Sequence, residues 1–200
     1  SGITPHEALR SRAFWQLQFG LIFGCMIVNG IAVNLIPMLT SRALSTVQAA
    51  SVVSAVGVGA FVGKFLVGWL MDRTHPLRVV AATRLAGAAA AIVLYTADHH
   101  IGLGTAYFVA FVAGIAVGGE IPVTAFLSAR QFGMSHFPKL YAWTFAGNRV
   151  ASGVGPMALA MLYDLHGDYQ WALGMSAALL CVSALLIATL KPGVHGARAT

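Results

Sequence analysis

The sequence predicts an all-α integral membrane protein with six transmembrane helices, on three observations. Of its 200 residues, 58% are hydrophobic and 9% charged, against about 25% charged in an ordinary soluble domain; a water-facing surface cannot be built from so few charges. Six apolar stretches reach the roughly 20 residues that a helix needs to cross the hydrocarbon core. Runs such as AGAAAAIVLY and MSAALLCVSALLIATL show no period of two, which removes a membrane β-barrel.

Taken in order, residues 1–13 predict a cytoplasmic interfacial segment. Thr4, Pro5 and Glu7 supply a cap, a proline at the first helical position and a glutamate three after the cap, the pattern of a short helix start. The segment lacks the apolar core of a cleavable signal peptide. Spans are then expected at Phe14–Met38, Val47–Met71, Leu77–Thr96, Ile101–Leu127, Leu140–Tyr163 and Trp171–Leu190, giving a transmembrane domain over 14–190 and a cytoplasmic tail over 191–200. Ser45 and Gln48 repeat the capping pattern before the second span. Cys25 and Cys181 both fall inside spans, where a cysteine packs as a small apolar residue. Lipid supplies no hydrophobic force between helices, so small residues must let backbones approach. Gly20/Gly24, Gly59/Gly63 and Gly114/Gly118 each share one helix face, and Gly153, Gly155 and Pro156 mark a bend in the fifth span.

Alternating the loops across six spans sorts the basic residues to sides. Arg10, Arg12, Arg73, Arg78, Arg130, Lys139, Lys191 and Arg198 fall on one side, and Arg42 alone on the other with Asp98, Asp164 and Asp168. Cytoplasmic loops collect Lys and Arg, so both termini are expected in the cytoplasm and the membrane is a cell membrane, inner or plasma. The net charge of +6 therefore reports topology and not nucleic-acid binding.

Four ionisable residues lie within spans: Lys64, Arg84, Glu120 and Arg149. Such residues are costly in lipid and face protein or a cavity. At about 1.5 Å per residue, all four sit roughly 10–12 Å from the cytoplasmic boundary. Ala60 and Gly68, one turn either side of Lys64, clear space for its ammonium and favour a cavity role. Arg149, beside Asn148, is too deep to reach the headgroups. Glu120 is read either as an ion-pair partner of Arg149 or as a proton-coupling carboxylate. Arg84, on an otherwise apolar helix, is expected to reach toward the cytoplasmic headgroups. All seven histidines fall outside the spans, which disfavours a buried histidine relay.

Gly68-Trp69-Leu70-Met71-Asp72-Arg73, with Arg78 following, resembles the cytoplasmic loop signature G-x-x-x-D-R of the major facilitator superfamily. The chain departs from it at His75, where a second glycine is usual, and at Pro76. Arg130-Gln131-Phe132-Gly133, Tyr141 and Gly155-Pro156 are similar to the tenth and eleventh helices of the monocarboxylate-transporter and oxalate/formate-antiporter branches. The resemblance implies that nearly the whole chain is the C-terminal six-helix half of such a carrier. It gives Lys64 the place of the basic residue that meets the substrate carboxylate, and it puts a second substrate contact at Asn148 or Arg149. Gly68, Asp72, Arg73 and Arg78 become a cytoplasmic gate. Ala60 stands where proton-coupled relatives have aspartate, leaving Glu120 or plain anion exchange.

The function expected is transport of a small organic anion, a mono- or dicarboxylate, by alternating access, with no cofactor and no metal. A missing N-terminal half, or a second copy, would complete the path; the serine start predicts an excised fragment. The alternatives are a non-transporting receptor or assembly subunit of the same fold, or a carrier for another small-solute class. No H-E-x-x-H metal pair and no G-x-S-x-G elbow is present, which argues against a membrane-embedded enzyme.

Overall fold

A backbone in lipid must satisfy its hydrogen bonds internally, and every long element of this chain is helical. The computed structural model describes residues 5–97 and 101–190. Seven helices run through them: α1 (Pro5–Arg10), α2 (Arg12–Thr40), α3 (Thr46–Arg73), α4 (Pro76–Thr96), α5 (Leu103–Phe132), α6 (Phe137–His166) and α7 (Gln170–Ala188). Thr4, Asp98, His99, His100 and the tail 191–200, with Lys191, His195 and Arg198, lie outside the described residues.

The short first helix is present. It breaks at Ser11, whose hydroxyl donates to Ala8 O at 2.7 Å and accepts from Phe14 N at 3.2 Å, closing one helix and capping the next. The capping box at Ser45 and Gln48 also forms, with both reciprocal bonds made. α6 ends at Gly167 in the left-handed conformation, φ 75°, where glycine carries no steric penalty.

Five helices, α2, α3, α4, α5 and α7, are long and apolar enough to cross a membrane. The expected fifth span corresponds to α6, which at 30 residues is as long as α5 but is interrupted by Asn148, Arg149 and three glycines. It runs as one continuous helix through Gly153, Gly155 and Pro156.

Two of the three glycine pairs bring backbones together as their spacing predicts, whereas Gly20 and Gly24 face side chains, Ile187 of α7 and Arg84 of α4. α3 and α5 run parallel, as alternating crossings require, and Gly59 and Gly63 lie against Phe111, Gly114 and Ile115, while Gly118 lies on the backbone of Ala60. A methyl at any of them would strike backbone of the facing helix. α2 and α6 meet in the same way where Gly155 rests on the backbone of Met26. α7 packs on α4 and α2, tied to α2 by the Ser183 hydroxyl donating to Gly20 O at 2.6 Å.

Arg42 explains itself. It is 7% exposed and donates to Met38 O, Leu94 O and Ala97 O at 3.0, 2.9 and 3.3 Å. One guanidinium thus satisfies orphan carbonyls at the C-terminal ends of both α2 and α4. Burial lowers its pKa from the ordinary arginine value, opposed by the Asp168 carboxylate.

The buried side chains form two apolar clusters. One is built from Phe14, Leu17, Leu21, Val123, Leu127, Phe132 and neighbours toward the end that carries Arg73, Arg78 and Lys139. The other gathers Ile27, Ile31, Leu35, Leu94, Leu173 and neighbours toward Arg42 and Asp168. Between them lies a polar layer.

Candidate functional site

The polar layer is assembled from one or two residues on each of four helices. Glu120 of α5 is 5% exposed and Arg84 of α4 is 3% exposed; Arg84 Nη1 stands 3.9 Å from Glu120 Oε1. The other carboxylate oxygen accepts from Asn29 Nδ2 at 2.9 Å and from the Cys25 thiol at 3.5 Å. Cys25 and Asn29 are one turn apart on α2, and Asn29 also donates to Cys25 O at 2.9 Å. Cys25 Sγ lies 3.2 Å from Asn148 O of α6, and Asn148 Nδ2 donates to Thr124 Oγ1 at 2.9 Å. Thr124 in turn donates to the Glu120 carbonyl at 2.8 Å. Gly24 faces the Arg84 guanidinium, and a side chain there would occupy its place.

This corrects two expectations. Arg84 does not extend to the headgroups; its stem is enclosed and its charge is used inside the bundle. The buried partner of Glu120 is Arg84 and not Arg149. Arg149 is exposed, and its guanidinium lies over the Phe145 ring, 4.9 Å from the centroid. Counting from helix ends put all four charges at one depth but could not show which helix faces meet; Arg84 is eight residues into α4 and Glu120 twelve residues before the end of α5.

Lys64 is exposed on α3, beside Phe61 and Phe65. A methyl added at Gly68, one turn away, would meet nothing within 4 Å, whereas Ala60, one turn the other way, lies with its backbone against Gly118 of α5. Asn148 is buried, 3% exposed, with its Oδ1 lacking a hydrogen-bond partner among the described residues. Lys64 and Arg149 are thus on open faces of α3 and α6, while Glu120, Arg84 and Asn148 share the interior layer. Cys25, Asn29 and Thr124 were not singled out from the sequence; the signal available was the one-turn spacing of Cys25 with Asn29 and of Glu120 with Thr124.

Asp72 and Arg73 at the end of α3 and Arg78 in the first turn of α4 are exposed. The Arg73 guanidinium lies 4.6 Å from the Trp69 ring centroid, and the Thr74 hydroxyl donates to Leu70 O at 2.7 Å. Gly68 is one turn before Asp72 on the same helix. Among the described residues, no group of three or more His, Cys, Asp and Glu side chains could hold a metal ion.

The backbone resembles that of the fucose:proton symporter FucP of Escherichia coli, with a TM-score of 0.75 over 93% of this chain and 44% of that one, at 16% identity. In sequence the chain is 26% identical over 154 residues to YhjX, an uncharacterized MFS-type transporter of Escherichia coli strain K12, covering 74% of this chain and 37% of the relative. It is 26% identical over 185 residues to a gallate transporter of Pseudomonas putida, covering 88% of this chain and 39% of the relative. The chain therefore spans under half the length of the proteins it matches. Residues 17–199 match the Major Facilitator Superfamily as a whole, and with a multi-pass bundle of apolar helices the chain belongs to that family.

Proposed function

We propose that this chain is a six-helix half of a secondary carrier that moves a small organic anion, a mono- or dicarboxylate, across the cell membrane by alternating access. α6 is its sixth crossing and both termini are cytoplasmic. An N-terminal six-helix half, or a second copy, completes the path. The observation that carries the reading is the charge balance. Of the four ionisable residues at mid-helix, Arg84 and Glu120 neutralise each other within the bundle. Lys64 and Arg149 stand on open faces with no ion pair among the described residues, where lipid would be costly and an anion between halves would be favourable. The gallate transporter among the relatives supports the substrate class, since gallate is a small carboxylate.

In this reading Lys64 and Arg149 hold the carboxylate, and the Asn148 amide connects that site to the interior layer. Gly68, Asp72, Arg73 and Arg78 form a cytoplasmic gate that latches against the other half. The test is uptake of labelled carboxylates into proteoliposomes by the full-length parent and its Lys64→Ala and Arg149→Ala variants. Uptake by the parent that is lost in both variants supports the site. Undiminished uptake in the variants makes the two cations structural, and a parent that moves no carboxylate rejects the substrate class.

A further inference from the structure

Both open cations stand beside aromatic rings. On α6, Phe137, Tyr141 and Phe145 follow one another at one-turn intervals. Their centroids are 5.3 and 5.5 Å apart with interplanar angles of 19° and 31°. The ladder ends with the Arg149 guanidinium over Phe145. On α3, Phe61 and Phe65 are each 66% exposed and pack edge to face at 5.2 Å, on the same side of the helix as Lys64.

Rings on the outside of a membrane helix ordinarily face lipid, and the two cations decide otherwise here. Lys64 and Arg149 are exposed at mid-helix, a position that must open to protein or water. Phe61 precedes Lys64 by three positions and Phe145 precedes Arg149 by four, spacings that put each ring on the same helix face as its cation, and Phe65 packs on Phe61. Those faces are kept clear: a methyl at Gly57, Gly68 or Gly153 would meet nothing within 4 Å. An open groove of about 420 Å³ also runs along α6, lined by Lys139, Ala142, Trp143 and Ala146.

A cation on a ring face is attracted by the ring quadrupole, and rings stack offset or edge to face. A ligand that supplies a carboxylate to the cation and a π-face to the neighbouring ring meets both at once, whereas an aliphatic acid supplies the carboxylate alone. Resting on the anion-carrier reading above, we infer that the ligand of Lys64 and Arg149 is an aromatic carboxylate, its carboxyl on the cations and its ring against Phe145 and the Phe61/Phe65 pair.

The experiment is calorimetric titration of the purified full-length parent with benzoate, cyclohexanecarboxylate and acetate. Cyclohexanecarboxylate is the deciding probe: it matches benzoate in size and charge and is more hydrophobic, so a merely apolar pocket favours it. Benzoate is expected to bind about tenfold more tightly than either. Phe145→Leu reduces that preference to about twofold, and Phe145→Tyr, which keeps a ring, restores it. Cyclohexanecarboxylate binding as tightly as benzoate, or a preference that survives both Phe145→Leu and Phe65→Leu, overturns the aromatic assignment. If binding in that case is still lost in Lys64→Ala, the anion site stands without it; if no carboxylate binds the parent, both readings fall together.

Discussion

Arg84 Nη1 and Glu120 Oε1 face each other at 3.9 Å across the α4–α5 interface, with both side chains almost fully withdrawn from the surface. Neither group is fully satisfied: Arg84 Nε and Glu120 Oε1 have no hydrogen-bond partner among the described residues. The pair is therefore held by Coulomb attraction, by Asn29 and Cys25 on the far oxygen, and by the gap that Gly24 leaves for the guanidinium. A buried ion pair contributes little compared with apolar packing of the same volume, but removing one member strands the other.

Arg84→Met is accordingly expected to destabilise the protein by about 3–5 kcal/mol, and Arg84→Met with Glu120→Met to recover most of that loss. Thermal unfolding of the parent in detergent checks this. A double variant as unstable as the single one would show that the layer depends on more than paired charge.

The contact between α3 and α5 is backbone on backbone. Gly118→Val or Gly114→Val forces side-chain atoms into carbonyls of Ala60 or Val56, with an expected cost of about 1–3 kcal/mol or more from overpacking. Loss of the folded peak in size-exclusion chromatography is the readout, with Gly104→Ala, which faces open space, as the silent control.

Arg42→Gln removes three bonds to helix-end carbonyls. A charged donor serving buried acceptors contributes about 1.5–3 kcal/mol per bond lost or left unmade, so a lowered midpoint of unfolding is expected. Ligand affinity should not change, because Arg42 is at the opposite end from the gate and belongs to neither open face.

Asp72→Asn is expected to leave ligand affinity intact and slow turnover several-fold, since Asp72 is exposed at the tip of α3 and touches nothing in the polar layer. Binding by calorimetry and uptake in proteoliposomes, measured side by side, separate the two effects. A large loss of affinity at normal turnover contradicts a gate.

Helix order was legible because five of the long helices are apolar runs between turn or cap residues, and Ser45 and Gln48 announced their own capping box. The glycine contacts were legible because a four-residue spacing fixes the face without reference to the partner. The pairing inside the bundle was not. Arg84 and Glu120 are 36 positions apart on helices of different length, and one-dimensional depth counts do not show which helix faces meet. Arg84 carries no local mark that separates a long stem reaching the headgroups from an enclosed one; the difference lies in Gly24 of another helix. Cys25 was read as a small apolar packing residue and Asn29 was not singled out, because a carboxylate's acceptors find donors in three dimensions. The greater polarity of α6 was visible in Asn148 and Arg149.

The glycine seam between α3 and α5 also determines what can move. Side-chain interfaces can slide by changing rotamers, but a seam of main-chain atoms has no such adjustment, so the two helices travel as one plank. Lys64 rides on one edge of that plank and Glu120 on the other. Whatever tilt the bundle undergoes, the spacing between the outward ammonium and the inward carboxylate is carried along unchanged. The plank is a fixed ruler, and a change of ligand preference can be written into the rings along its edge without altering it.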